Sequence, residues 1–354
     1  MRALRTLTLS ACAAAALASS AGAVRPIRPN APEFPEGAAW VNSKPLTLKS
    51  LRGKRVVLVS FLNASNIHSI RASAKLNDWW DRYALHGLMV VGVHDSDFDF
   101  DRDPGEVRRG LKRMGVRFPV VLDSGRRLWT AYANEGWPAR YLIDHKGRIV
   151  HDRLGEGGDR EFEQELLAAL GRFNGYEPPE DYRIPEDPRR AECGLATDPF
   201  YLGARRGREV LPVRPVRIKA VLASREGEPS RTGEWTSEPD AYRFEGKDHS
   251  GFSSYLQVIY QGAEAFAVLG RTGPSPVDVY LKQDDLWLHS GNAGADVQWD
   301  AQGRSFVLVD EPRLYRLSAN KRQDAHELRL YPGARGLGAY GFEFSDFCQA
   351  GEAR

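Results

Sequence analysis

Apolar positions follow two different rhythms along this chain, and the rhythm changes near residue 190. In the first half, continuous apolar runs alternate with stretches of helical spacing. Val56-Val57-Leu58-Val59-Ser60-Phe61-Leu62 is rich in β-branched residues and predicts a buried central strand. Ile70, Ala74, Leu76, Trp79, Trp80 and Tyr83 then recur at roughly helical spacing, and Leu88 to Val93 predicts a second buried strand. Pro104 suits the first turn of a helix carrying Val107, Leu111 and Met114, because a missing N–H costs nothing there. Phe118 to Leu122 is a third strand, followed by a short helix through Leu128, Trp129 and Tyr132. Arg140 to Ile143 and Ile149 to Leu154 predict a hairpin turning at Asp144-His145-Lys146-Gly147. Leu166, Leu167 and Leu170 mark a closing helix. The order β-α-β-α-β-α-β-β-α implies helices on both faces of a mostly parallel sheet.

In the second half the apolar runs shorten and Gly and Pro punctuate them. Strands are predicted at Val216 to Val221, Tyr255 to Tyr260, Ala265 to Leu269, Val277 to Leu281, Ser305 to Val309, Glu327 to Tyr331 and Ala339 to Phe344. With no long helical pattern among them, they predict an all-β antiparallel sandwich of jelly-roll type. The expected organisation is an extended, Pro-rich leader over 24–38, an α/β domain over 39–173, a linker over 174–190 and the β-sandwich over 191–350.

Residues 1–23 read as a secretory signal. Arg2 and Arg5 open it, an apolar stretch runs from Leu7 to Ala18, and Ala21-Gly22-Ala23 fits a cleavage site. An exported, periplasmic or secreted product is expected, with no transmembrane segment. Leu9-Ser10-Ala11-Cys12 resembles a lipoprotein box, so a lipid on Cys12 is the competing expectation. Removing the signal balances 47 basic against 47 acidic side chains, which argues against a nucleic-acid partner. Cys193 and Cys348 remain, and an isolated pair in an oxidising compartment predicts one disulfide.

Several motifs in the first half carry a family likeness. Leu46-Thr47-Leu48-Lys49-Ser50-Leu51-Arg52-Gly53-Lys54 leads into the first central strand, and Val91-Gly92-Val93-His94, Phe118-Pro119-Val120 and Trp137-Pro138-Ala139-Arg140-Tyr141-Leu142-Ile143-Asp144 follow in order. Over 39–173 the chain resembles the thioredoxin-like family, specifically TlpA-like thiol-disulfide proteins of the bacterial envelope. The two-part layout resembles the soluble part of DipZ-type proteins, whose second domain is like a carbohydrate-binding module. The resemblance implies a cis proline at Pro138 and a Cys-x-x-Cys at the start of the first long helix. The matching stretch here is Ser65-Asn66-Ile67-His68-Ser69-Ile70-Arg71, with Asn66 and Ser69 at the two cysteine positions. Thiol-disulfide exchange needs one thiolate to attack and a second thiol to release the mixed disulfide, and neither residue does this. Asn and Ser at a helix start can instead cap free amides.

Other chemistry was weighed along the same stretch. His68 suits a general base or metal ligand as well as an exposed loop residue, and Ser65 or Ser69 beside it suggests a nucleophile without an assignable carboxylate. Asp95, Asp97, Asp99, Asp101 and Asp103 with Glu106 echo a calcium loop, but Phe100 stands where such a loop turns on Gly. No cofactor and no metal is expected. Two functions remain. One is a binding or accessory module of the cell envelope, with a peptide or protein partner in a groove lined by Asn66, Ile67, His68, Ser69, Trp137 and Pro138, and a glycan on the second domain. The other is a TlpA-like oxidoreductase using Cys193 and Cys348 or a partner's cysteines.

Overall fold

In the computed structural model, residues 28–185, 195–208, 210–212, 226–246 and 252–345 are described. The expected signal, the strand at Val216 to Val221 and all three cysteines lie outside these residues.

The first unit runs β1 (Trp40–Val41), α1 (Leu48–Leu51), β2 (Val56–Leu62), α2 (Ile67–Tyr83), β3 (Leu88–Asp95), α3 (Pro104–Arg113), β4 (Val120–Asp123), α4 (Arg127–Ala131), β5 (Ala139–Ile143), β6 (Ile149–Leu154) and α5 (Asp159–Asn174). Its sheet has the order β1-β4-β3-β2-β5-β6. Strands β2, β3 and β4 are parallel, while β5 and β6 are antiparallel to their neighbours. This is the thioredoxin-like α/β arrangement that the sequence predicts. The unbroken apolar run of β2 is explained by burial on both faces. Val56, Leu58 and Leu62 pack with Leu76, Trp79, Phe162 and Leu166 of α2 and α5, whereas Val57, Val59 and Phe61 pack with Leu48, Leu128 and Tyr132 of α1 and α4.

The described part of the expected leader, residues 28–38, is tied down. Asn30 bridges to Arg148, the Glu33 carboxylate accepts the Lys49 amide at 2.9 Å, and Phe34 is buried edge-on against Trp40. One aromatic at Phe34 and one acid at Glu33 thus anchor a stretch that composition alone marks as loose. The expected linker is also held at its described end, where the Tyr182 hydroxyl bonds the buried Glu163 carboxylate.

The second unit is one antiparallel sheet. Its strands are β7 (Phe200–Tyr201), β8 (Leu211–Pro212), β9 (Ser230–Thr232), β10 (Trp235–Ser237), β11 (Tyr242–Phe244), β12 (Tyr255–Arg271), β13 (Val277–Gln283), β14 (Leu286–Trp287), β15 (Gln298–Trp299), β16 (Ser305–Val309), β17 (Arg313–Pro332) and β18 (Leu337–Ser345). Among described residues only β8 and β9 pair in parallel. The strands expected at Tyr255 to Tyr260 and Ala265 to Leu269 are a single strand, β12. Gly262 and Glu264 read as a break in sequence, but the pairing with β17 continues through register shifts there. Those shifts turn the apolar side from even positions (Leu256, Val258, Tyr260) to odd ones (Ala265, Ala267, Leu269), so both halves of β12 face one core. The second half of β12 therefore presents Phe266 and Val268 on its other side.

Candidate functional site

Phe266 and Val268 do not face solvent. With Leu314 they form an apolar cluster with Ile67 at the start of α2 and Phe98 in the β3–α3 loop, flanked by Ile70, Phe100, Tyr201 and Tyr340. The second unit is thus packed onto the end of the first unit where the sequence places the degenerate motif.

The turn into α2 is organised by Asn63, which is almost wholly buried. Its side-chain carbonyl accepts the Ser65 amide at 2.7 Å, and its side-chain NH2 donates to the Asp95 carbonyl at 2.9 Å and to Asp101 at 3.2 Å. Asn66 is the N-cap of α2, in extended conformation, with its Oδ1 accepting the Ser69 amide at 2.9 Å. The Ser69 hydroxyl accepts the Asn63 amide at 3.1 Å. Both residues at the expected cysteine positions therefore satisfy backbone donors. Replacing Asn66 with Ala should lower stability by about 1 kcal/mol, read as a lower urea midpoint, because the Ser69 amide loses its partner.

A second amide of the first turn is met from the second unit. Glu343 of β18 points away from the core that holds Phe342 and Phe344, and its Oε2 accepts the Ile67 amide at 2.8 Å. Its Oε1 accepts the Asn66 side-chain NH2 at 3.3 Å. A carboxylate at a helix N-terminus is favoured by the amides and the helix dipole. Here burial in the contact outweighs these donors and pushes the carboxyl up to about 7. Nearby, Arg71 of α2 reaches across to Glu264 of β12 and donates to the Ser345 hydroxyl at 3.0 Å. Arg316 of β17 pairs with the other Glu264 oxygen. Asp97 accepts from Arg206 at 2.7 Å and from the Tyr201 hydroxyl at 3.2 Å, and Asp99 pairs with Arg205 at 2.9 Å.

On the opposite side of the α2 start, the Trp137-Pro138 peptide is cis. Trp137 Nε1 donates to Asp95 Oδ1 at 2.7 Å, while Arg126 lies 3.2 Å from Asp95 Oδ2 and stacks over Trp129 and Trp137. Burial raises the Asp95 carboxyl to about 7 even so. His94 is buried as well. Its Nε2 accepts the Ala64 amide at 3.3 Å, and burial lowers the ring to about 4, so it is neutral near pH 7.

The other readings can be placed the same way. His68 pairs with Glu156 at 2.9 Å, a carboxylate partner that sequence spacing does not reveal. Ser69 is turned to Asn63, and among described residues no hydrogen bond joins Ser65 or Ser69 to His68. The five alternating aspartates diverge. Asp101 accepts the amides of Asp97 and Phe98, Asp103 caps α3 through the Glu106 amide, and Asp95, Asp97 and Asp99 take the arginines named above. Among described residues no group of His, Cys, Asp or Glu is arranged to hold a metal. Nor is any helix there long and apolar enough to cross a membrane. Sequence reasoning placed Asn66, Ile67, His68, Ser69, Trp137 and Pro138 at one site but missed Glu343 and Glu264. A charge between Ala263 and Ala265 in an apolar strand was the available signal for Glu264.

Comparison with known proteins places the first unit among known families. A family model described as the AhpC/TSA family matches residues 28–152. Protein DipZ of Mycobacterium bovis is 43% identical over 121 residues, covering 33% of this chain and 17% of DipZ. Thiol-disulfide oxidoreductase YkuV of Bacillus subtilis is 30% identical over 132 residues, covering 37% of this chain and 88% of YkuV. A solved thioredoxin-like protein in its oxidized form is 29% identical with a TM-score of 0.38, covering 41% of this chain and 97% of its own. The chain thus spans most of YkuV and a small part of DipZ.

Proposed function

This chain belongs to the thioredoxin-like thiol-disulfide oxidoreductase family, of the TlpA and DipZ type, and we propose that it has given up disulfide exchange and serves as an exported binding or accessory module of the cell envelope. The observation that carries this is the start of α2. Asn66 and Ser69 stand at the cysteine positions, and the Ile67 amide bonds Glu343 of the chain's own second unit. A thiolate there would be stabilised by the same amides. Their occupation by Asn66 and Glu343 supports a site kept for structure. A peptide or protein partner is then held along the rim formed by His68, Trp137 and Pro138, beside the part covered by β18. The second unit, on its likeness to carbohydrate-binding modules, is the proposed holder of a glycan.

The second reading, an oxidoreductase using Cys193 and Cys348, is disfavoured by the strands that lead to them. Thr197, four residues after Cys193, exchanges hydrogen bonds of 2.8 and 2.7 Å with Gln261, and Ser345, three residues before Cys348, pairs with Glu264. Both approaches end beside the middle of β12, which suits one structural bridge closing the second unit. A thiol count on protein purified without reductant, native and denatured, with peptide mapping, tests this. No free thiol and a Cys193–Cys348 bridge that resists mild reductant are expected. Free or readily reduced thiols would move the assignment to the oxidoreductase.

A further inference from the structure

The contact that covers the start of α2 is built around a carboxyl with too few donors. Glu343 receives one backbone amide and one side-chain amide, from Ile67 and Asn66, and no Lys or Arg among the described residues lies within salt-bridge distance of it. In water an ionised carboxylate offers about four acceptor positions to hydrogen bonds, and apolar Ile67, Phe98 and Phe266 stand around this one. Among the charged groups facing it from the packed elements, His68 draws the carboxyl down and the arginines are committed elsewhere. From α2 come His68 and Arg71, the first paired with Glu156 of the β6–α5 loop and the second with Glu264 of β12. The β3–α3 loop brings Asp97, itself held by Arg206 and Tyr201, and β17 brings Arg316, committed to Glu264.

We propose that Glu343 is a proton-operated latch between the two units: protonated, it closes β18 onto the start of α2, and ionised, it loosens that contact and uncovers the rim where relatives carry their redox motif. The direction follows from linkage. Burial lifts the docked carboxyl from 4.5 to about 7, so the docked form binds the proton more tightly than the separated form. Docking is then strongest at mildly acid pH, weakens as the pH rises from 4.5 towards 7, and levels off above. Asp97 in the same contact is raised by burial and acts in the same direction. Asp95 and Asp101 also sit near 7 but lie within the first unit, and they would change its stability without working the latch.

The experiment is hydrogen–deuterium exchange on the full chain between pH 5 and 8, corrected for intrinsic rates, reading peptides that cover 63–71 and 338–345. In the wild type, protection of both peptides should fall about tenfold or more over this range, while the β2 and β13 peptides stay protected. Glu343→Gln keeps the shape and one acceptor oxygen for the Ile67 amide but cannot ionise, so its protection should not change with pH. Glu343→Ala should be loose at every pH. Wild-type protection that is flat with pH, or that falls equally in Glu343→Gln, overturns the latch. The readout is independent of disulfide exchange, so its failure leaves the functional assignment standing and the reverse also holds.

Discussion

Restoring the motif with Asn66→Cys and Ser69→Cys will leave the intact protein a slow catalyst at pH 6, where the contact is closed, until Glu343 is also removed. A motif thiol is activated by the amides of the first helical turn, which stabilise its negative charge. In this chain the Ile67 amide already faces the Glu343 carboxylate at 2.8 Å. With β18 docked, this amide is taken up by Glu343 and does less to activate a thiol, and β18 stands in the path of a substrate disulfide. Adding Glu343→Ala to the double variant should raise dithiothreitol-driven insulin reduction by about tenfold or more, a barrier change of ~1.4 kcal/mol. Equal rates with and without Glu343→Ala would show that the second unit does not guard the site.

Glu264→Ala should destabilise the protein by about 2–3 kcal/mol, far more than any rim ion pair. Glu264 is nearly inaccessible, and its two oxygens take Arg71 from the first unit and Arg316 from the second. Removing it takes from Arg71 and Arg316 the anion they share, and losing a buried charge partner is costly. Glu264→Gln, which keeps the shape, should lose less. The comparison is Glu311→Ala, whose carboxylate is more exposed than that of Glu264 and meets Arg109 and Arg113, where about 0–1 kcal/mol is expected. Urea denaturation of the three variants reads the difference. A Glu264→Ala midpoint no lower than that of Glu311→Ala would contradict the central role given to this carboxylate.

The first unit was legible in the sequence because its signals are local. Seven consecutive apolar or small residues in β2 mean burial on both faces, and Pro104 after Asp103 marks a capped helix start. The turn at Gly147, with φ of 85°, and the cis bond before Pro138 also fall where the sequence puts them. That Asn66 and Ser69 replace a cysteine pair rests on the family resemblance, while their capping of the α2 start is local and readable from residue type. What could not be read is the cover over the motif. Glu343 and Ile67 are 276 positions apart, and nothing in the alternation of β18 says that its outward acid meets a helix N-terminus rather than water. The bend in β12 was misread for a related reason. Gly262 and Glu264 look like a turn, yet the bulge they form is held by Ser345 and by arginines from distant strands. Long-range charge pairing leaves no periodic trace.

The central claim is that a thioredoxin-like fold has been kept here without its chemistry. It is tested most directly by dithiothreitol-driven reduction of insulin disulfides with the intact wild-type protein, run beside YkuV as the active comparison. The account predicts a rate no different from dithiothreitol alone. Acceleration comparable to that of YkuV would contradict it and return the chain to the working oxidoreductases of its family.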